Sequence, residues 1–132
     1  MRHEKALRTA SAKAVTPTAS PPDFSGHWKN QYTSTMDLTV TGSDVKGSYT
    51  SASSGGGGPV TGPLKGYVSG DLMSFLVLWP GGSMTAWVGQ MVDDQTAPKI
   101  KTLWHLVTNI QDADESEHFW MSVFTGADEF TR

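Results

Sequence analysis

The stretch Ser83–Gln90, SMTAWVGQ, sets Ser83, Thr85 and Trp87 at alternating positions, with Met84, Ala86 and Val88 between them. Alternation has period two, so on an extended strand the first three side chains share one face and the second three the other. Neither face has the composition of an ordinary one. A core face would be aliphatic throughout, and a solvent face would carry charges. Two hydroxyls and a tryptophan on one side, with apolar residues behind them, describe the inner wall of a binding cavity whose outside is also covered.

The same rhythm runs through most of the chain. Alternating runs separated by Gly, Pro, Asp or Ser predict strands near 25–32, 35–41, 45–51, 63–69, 72–79, 83–91, 99–107 and 118–125. Eight short strands with mostly short connections predict an all-β fold, an eight-stranded antiparallel up-and-down β-barrel of the size that holds one ligand. Helical periodicity is not evident, although QDADESE at 111–117 can form one exposed turn. The longest connection, Ala52–Gly62, contains the run Gly55–Gly58, and is either a plain linker or a lid over the barrel mouth.

Composition agrees with this class. The 132 residues make one domain, with 37% hydrophobic residues, 17% charged residues, 14 Gly and no Cys. Disulfides and thiolate metal sites are therefore excluded. Residues 1–22 carry a net charge of +3 and the remainder −6. The sequence thus divides into a solvated, disordered tail at 1–22 and a barrel domain at 23–132. An acidic body argues against nucleic acid as a partner, since phosphate contacts need a basic face. The tail has no apolar run of the ~7–15 residues that a secretory signal needs, and nothing approaches the ~20 apolar residues of a membrane span.

The aromatic and polar residues fall in register. Trp28, Trp79, Trp87, Trp104 and Trp120 each lie in a predicted strand or at its edge. Their neighbours two positions away include Asn30, Thr85, Thr102 and Ser122, a mixture suited to a flat, partly polar ligand. Tyr49 and Ser51 share a face, Ser34 lies just past the first strand, and Ser122, Phe124, Gly126 and Asp128 align near the end. Asp128 is either a turn residue capping Gly126 or a carboxylate inside the barrel, where it needs a hydrogen-bond partner to stay charged. His105 shares the outward face of its strand with Leu103 and Val107, and outward Met73, Leu76 and Leu78 oppose inward Phe75, Val77 and Trp79. A soluble monomer does not expose so many contiguous apolar side chains, so a second subunit is expected there.

Enzyme signatures such as GxSxG, HExxH, a Walker loop or GxGxxG are missing. His118 with Glu115 and Glu117 reads as a solvated acidic loop before it reads as a metal site. A glycosidase would need two facing carboxylates, and Asp128 has no inward acidic partner. A lipocalin-like carrier would need an aliphatic cavity, against which Asn30, Tyr49, Ser51 and Asp128 count.

Five segments, GHWKNQYTST, GSYTS, SMTAWVGQ, TLWHL and GADEFT, in that order, closely resemble the avidin and streptavidin family over about residues 25–131. The resemblance implies a non-enzymatic protein that binds biotin in one open end of the barrel, with no cofactor or metal. It implies that Asn30, Ser34 and Tyr49 donate to the ureido oxygen, and that Ser51 and Asp128 accept from the ureido N–H groups. Thr85 would contact the ring sulfur and Ser83 the valeryl carboxylate. Trp79, Trp87 and Trp104 would wall the ring and tail, and Trp120 would be lent to a neighbouring subunit of a homotetramer. The resemblance also implies a secreted or periplasmic protein. The chain departs from the family pattern at the turn Tyr32–Thr33, in the loop Ala52–Gly62, where Gly55 stands in place of a polar residue near the ligand carboxylate, and in lacking the cysteine pair of some dimeric members.

Overall fold

The structure, a computed structural model, describes residues 1–14, 21–53, 56–92 and 97–132. Eight strands close into a barrel: β1 (Gly26–Asn30), β2 (Thr35–Thr41), β3 (Asp44–Ser51), β4 (Val60–Ser69), β5 (Leu72–Leu78), β6 (Ser83–Val92), β7 (Lys99–Thr108) and β8 (Val123–Thr131). Each strand pairs antiparallel with the next, and β8 returns to β1 through two registered pairs, Lys29↔Thr131 and Asn30↔Phe130. This is the eight-stranded antiparallel up-and-down barrel that the period-two patterning predicts.

Alternation places the two faces of each wall. Along β6, Thr85, Trp87 and Met91 are buried while Met84, Ala86 and Val88 are exposed. One end of the barrel is filled by Phe24, Trp28, Met36, Leu38, Val45, Leu64, Met73 and Ile100. Trp28 therefore packs in the closed end, with its indole N–H on the Phe24 carbonyl at 2.9 Å and the Arg132 guanidinium 4.2 Å over its ring. The polar residues of the site lie towards the other end.

Several expectations are corrected. His3–Lys13 forms an α-helix, α1, where an unstructured tail is expected; its Ala, Lys and Arg residues are good helix formers, and none of its residues is buried. Part of the tail, 15–20, lies outside the described residues, as do Ser54 and Gly55 of the glycine loop. The first strand ends at Asn30, because the chain turns through Gln31–Ser34 with Thr33 at φ 69°. Met73 points inward and is buried, because it shares the parity of Phe75 and Val77; Leu72 takes the outer position.

The largest shift concerns the last strand. Residues 112–122 form a 3-10 turn (Asp112–Asp114), a single helical turn α2 (Glu115–His118) and a second 3-10 turn (Phe119–Ser122), so β8 starts only at Val123. Trp120 is accordingly off the sheet and 82% exposed. Ser122 is buried by its turn, with its hydroxyl on the Phe119 carbonyl, while Phe124 keeps the parity of Gly126 and Asp128 along β8 but is exposed. No helix among the described residues is long and apolar enough to cross a membrane.

Candidate functional site

The β1–β2 turn is built around the Asn30 side chain. Its Oδ1 accepts from the backbone N–H groups of Tyr32 (3.0 Å) and Ser34 (2.9 Å). With the oxygen so held, the Nδ2 group has one direction left, and it donates to the Tyr49 hydroxyl at 3.2 Å. Ser34 Oγ accepts from the Ala52 N–H at 3.0 Å and also bonds the Tyr49 hydroxyl, joining this turn to the end of β3. Ser51 Oγ donates to the Ser53 carbonyl at 2.8 Å.

Asp128 lies in β8, opposite Thr102 of β7, and is a strand residue, not a turn cap. Its Oδ2 accepts the Trp87 indole N–H at 2.8 Å and its Oδ1 accepts from Gln31 Nε2 at 3.4 Å. The buried Thr102 hydroxyl donates to its backbone carbonyl at 3.1 Å. Asp128 is thus a largely buried carboxylate with a donor on each oxygen, the arrangement that offsets the cost of burying the charge.

Aromatic rings form the walls. Trp87 stacks between Tyr49 (centroids 4.9 Å) and Phe75 (4.8 Å). Trp79 meets Tyr49 edge-on at 5.7 Å and donates its indole N–H to the Thr85 hydroxyl at 2.8 Å. Trp104 crosses β8 at Gly126: a Cβ there would come within 2.4 Å of the Trp104 ring, so only glycine lets the indole lie flat. Burial raises the Tyr49 phenol well above the usual tyrosine range. The Asp128 carboxylate pushes it further, and the Ser34 bond opposes both. Tyr49 is therefore a neutral hydroxyl, able to donate, at any physiological pH.

These residues enclose a cavity of about 400 Å³ lined by Asn30, Ser34, Tyr49, Ser51, Trp79, Thr85, Trp87, Trp104 and Asp128. Its volume lies within the ~300–1,000 Å³ of small-molecule sites. Ser83, expected in this cavity, lies elsewhere, and Trp120, expected in a neighbour's site, is outside it. Ser83 is half-buried in a neighbouring groove with Met84, Val107, Ile110 and Phe119, and Trp79 lines both that groove and the cavity. Trp120 lines neither space. Tyr32, Ala52, Ser53 and Leu106 also line the cavity. Of these, Leu106 was legible, because it stands two residues beyond Trp104 on the same strand face; Tyr32 sits in a turn, where no periodicity marks it.

The structure has a TM-score of 0.73 with the crystal structure of xenavidin, at 24% identity over 86% of this chain and 99% of that one. It also has a TM-score of 0.73 with a biotin-binding protein from chicken, at 26% identity over 83% and 95% of the two chains. A search of curated proteins gave no significant match. The model of the avidin family matches residues 18–132, covering every strand of the barrel, and the chain belongs to that family.

Proposed function

We propose that this chain is a non-catalytic biotin-binding protein whose ligand sits in the cavity bounded by Asn30, Tyr49, Trp87 and Asp128. The observation that carries the reading is one cavity with two opposed polar groups: hydroxyl and amide donors at Asn30, Ser34 and Tyr49, and a carboxylate acceptor at Asp128. A ureido group is a carbonyl flanked by two N–H groups and needs that pairing. Donors converging on its oxygen polarise it, and Asp128 and Ser51 accept from the N–H groups. Thr85 lies against the ring sulfur, and Trp79, Trp87 and Trp104 exclude water from the ring and tail. Because hydrogen bonds hold these groups before a ligand arrives, little ordering cost remains at binding. An aliphatic carrier would have no use for a buried carboxylate.

The binding unit is the barrel at 23–132, with α1 outside it, and four chains assemble. The outer faces of β5–β7 support this: Leu76, Leu78, Met84, Val88, Leu103 and Val107 are exposed side by side. Trp120 stands out beside Phe119 and Met121, suited to a neighbour's site, and Ser83 receives the carboxylate from the rim. Residence outside the cytoplasm belongs to the same reading.

Biotin titration tests it. With three tryptophans on the cavity wall, intrinsic fluorescence should change and saturate at one equivalent per chain, and biotin-agarose should retain the protein until free biotin is added. A flat titration of folded protein overturns the reading.

A further inference from the structure

The strands β1 and β8 close the barrel through two residue pairs, and β1 ends at the site residue Asn30. The seam does not stop there. The Gln31 side chain reaches across to β8, where Nε2 donates to the Ala127 carbonyl at 3.1 Å and Oε1 accepts from the Glu129 N–H at 2.9 Å. One carboxamide therefore occupies the backbone groups on both sides of Asp128, as a further strand residue would. Its second N–H is directed to Asp128 Oδ1 at 3.4 Å, while Trp87 holds Oδ2.

We propose that Gln31 is a positioning residue that locks the Asp128 carboxylate in its ligand-accepting orientation and couples that orientation to closure of the β1–β8 seam. The proposal rests on the biotin-binding reading for its consequence, but not for its geometry. With Oε1 fixed by the Glu129 N–H, the carboxamide cannot flip, so its N–H groups always face Ala127 and Asp128. Asp128 is then held between two donors from different elements, the β1–β2 turn and β6. Without Gln31 it would keep one donor and could rotate about its side-chain torsions. No ligand atom need touch Gln31, which lies in an outer groove with Lys101, Leu103 and Glu129 behind the cavity wall.

The test uses Gln31→Met, similar in shape but without the amide, in wild-type and Asp128→Ala backgrounds. In the ligand-free protein, the Trp87 indole N–H resonance should shift in Gln31→Met. The Trp28 indole, bonded to Phe24 at the opposite end, should not, which also reports an intact barrel. Loss of this long hydrogen bond, which acts on the ligand only through the Asp128 carboxylate, predicts biotin release about 3- to 10-fold faster in Gln31→Met. In the Asp128→Ala background the same substitution should leave release unchanged. An unmoved Trp87 resonance, or equal acceleration in both backgrounds, overturns the proposal, since Gln31 would then only brace the seam. If Trp87 shifts but the wild-type protein binds no biotin, the functional reading fails and the positioning role stands.

Discussion

Trp87 donates its indole N–H to Asp128 Oδ2 at 2.8 Å, and the same ring stacks on Tyr49 and Phe75. One side chain thus serves as wall and as anchor for the carboxylate. Trp87→Phe separates the two roles, keeping an aromatic face while removing the donor. A hydrogen bond to a charged group is worth roughly 1.5–3 kcal/mol, so biotin release should accelerate about tenfold or more. Stopped-flow or competitive release measurements decide it; an unchanged rate would mean that Gln31 alone suffices to hold Asp128.

Tyr49 makes stability depend on pH at the alkaline end. Its folded-state pKa is raised, by burial first and by Asp128 second. Below the ordinary tyrosine value of about 10 both folded and unfolded forms are protonated, so its contribution is fully present. As pH rises above that value, the unfolded chain loses the proton first and stability falls progressively towards the folded-state pKa. Denaturant midpoints between pH 9 and 11.5 should decline more steeply for wild type than for Tyr49→Phe. Parallel profiles would refute the burial argument.

Gly126 is opposite Trp104 in the β7–β8 register, and an added methyl would meet the indole at 2.4 Å. Gly126→Ala should push Trp104 off β8 and distort the cavity wall. Overpacking of this kind costs about 1–3 kcal/mol, to be read as a lowered melting temperature together with faster biotin release. A variant with wild-type values for both would show that Trp104 can rotate away at no cost.

Val88 and Leu103 face each other across β6 and β7 and are 61% and 62% exposed in the single chain. Leu103→Glu alters a side chain that is mostly exposed in the single chain, so the barrel should keep its circular dichroism spectrum. Charge placed in an apolar subunit contact must be desolvated, and the mass by light scattering should drop from four chains towards fewer. A wild-type protein that is monomeric at micromolar concentration would remove the assembly proposal at once.

Most of the barrel is legible in the sequence, because period-two burial is written into adjacent residues. SMTAWVGQ gives both faces of β6 directly, and parity alone places Asn30, Tyr49, Thr85 and Trp87 inside. The errors arise where local pattern has two readings. HFWMSVFT alternates like a strand, yet its first half is drawn into helical turns continuous with the acidic run before it. Trp28 has the same local signature as Trp87, and only the position of Phe24 and Arg132 assigns it to the closed end. Gln31 has no local signal at all, since its partners Ala127, Asp128 and Glu129 lie at the other end of the chain.

On the proposed reading, Asp128 is the decisive residue for the ligand. In Asp128→Ala the proposed ureido N–H loses a charged acceptor, and the Trp87 indole and the Gln31 amide lose their partner as well. The direct loss is roughly 1.5–3 kcal/mol, and reduced polarisation of the carbonyl towards Asn30, Ser34 and Tyr49 adds to it. Asp128→Asn keeps the shape and one oxygen, but not the charge. If that oxygen takes the Trp87 N–H, the new amide N–H group faces the Gln31 Nε2, donor against donor. Gln31 cannot turn to relieve this, because its own oxygen is bound to Glu129. If the oxygen turns to Gln31 instead, the indole faces a donor. Either way Asn leaves one clash where Ala leaves a void, and it still presents a polar atom near the ligand. The expected order of affinity is wild type, then Asn, then Ala, with all three folded. Calorimetry or competitive release of biotin on the three proteins measures it. Equal affinity for wild type and Asp128→Ala would make the carboxylate a structural acceptor for Trp87 and Gln31 and nothing more, and the proposed polar pairing with the ureido group would fall.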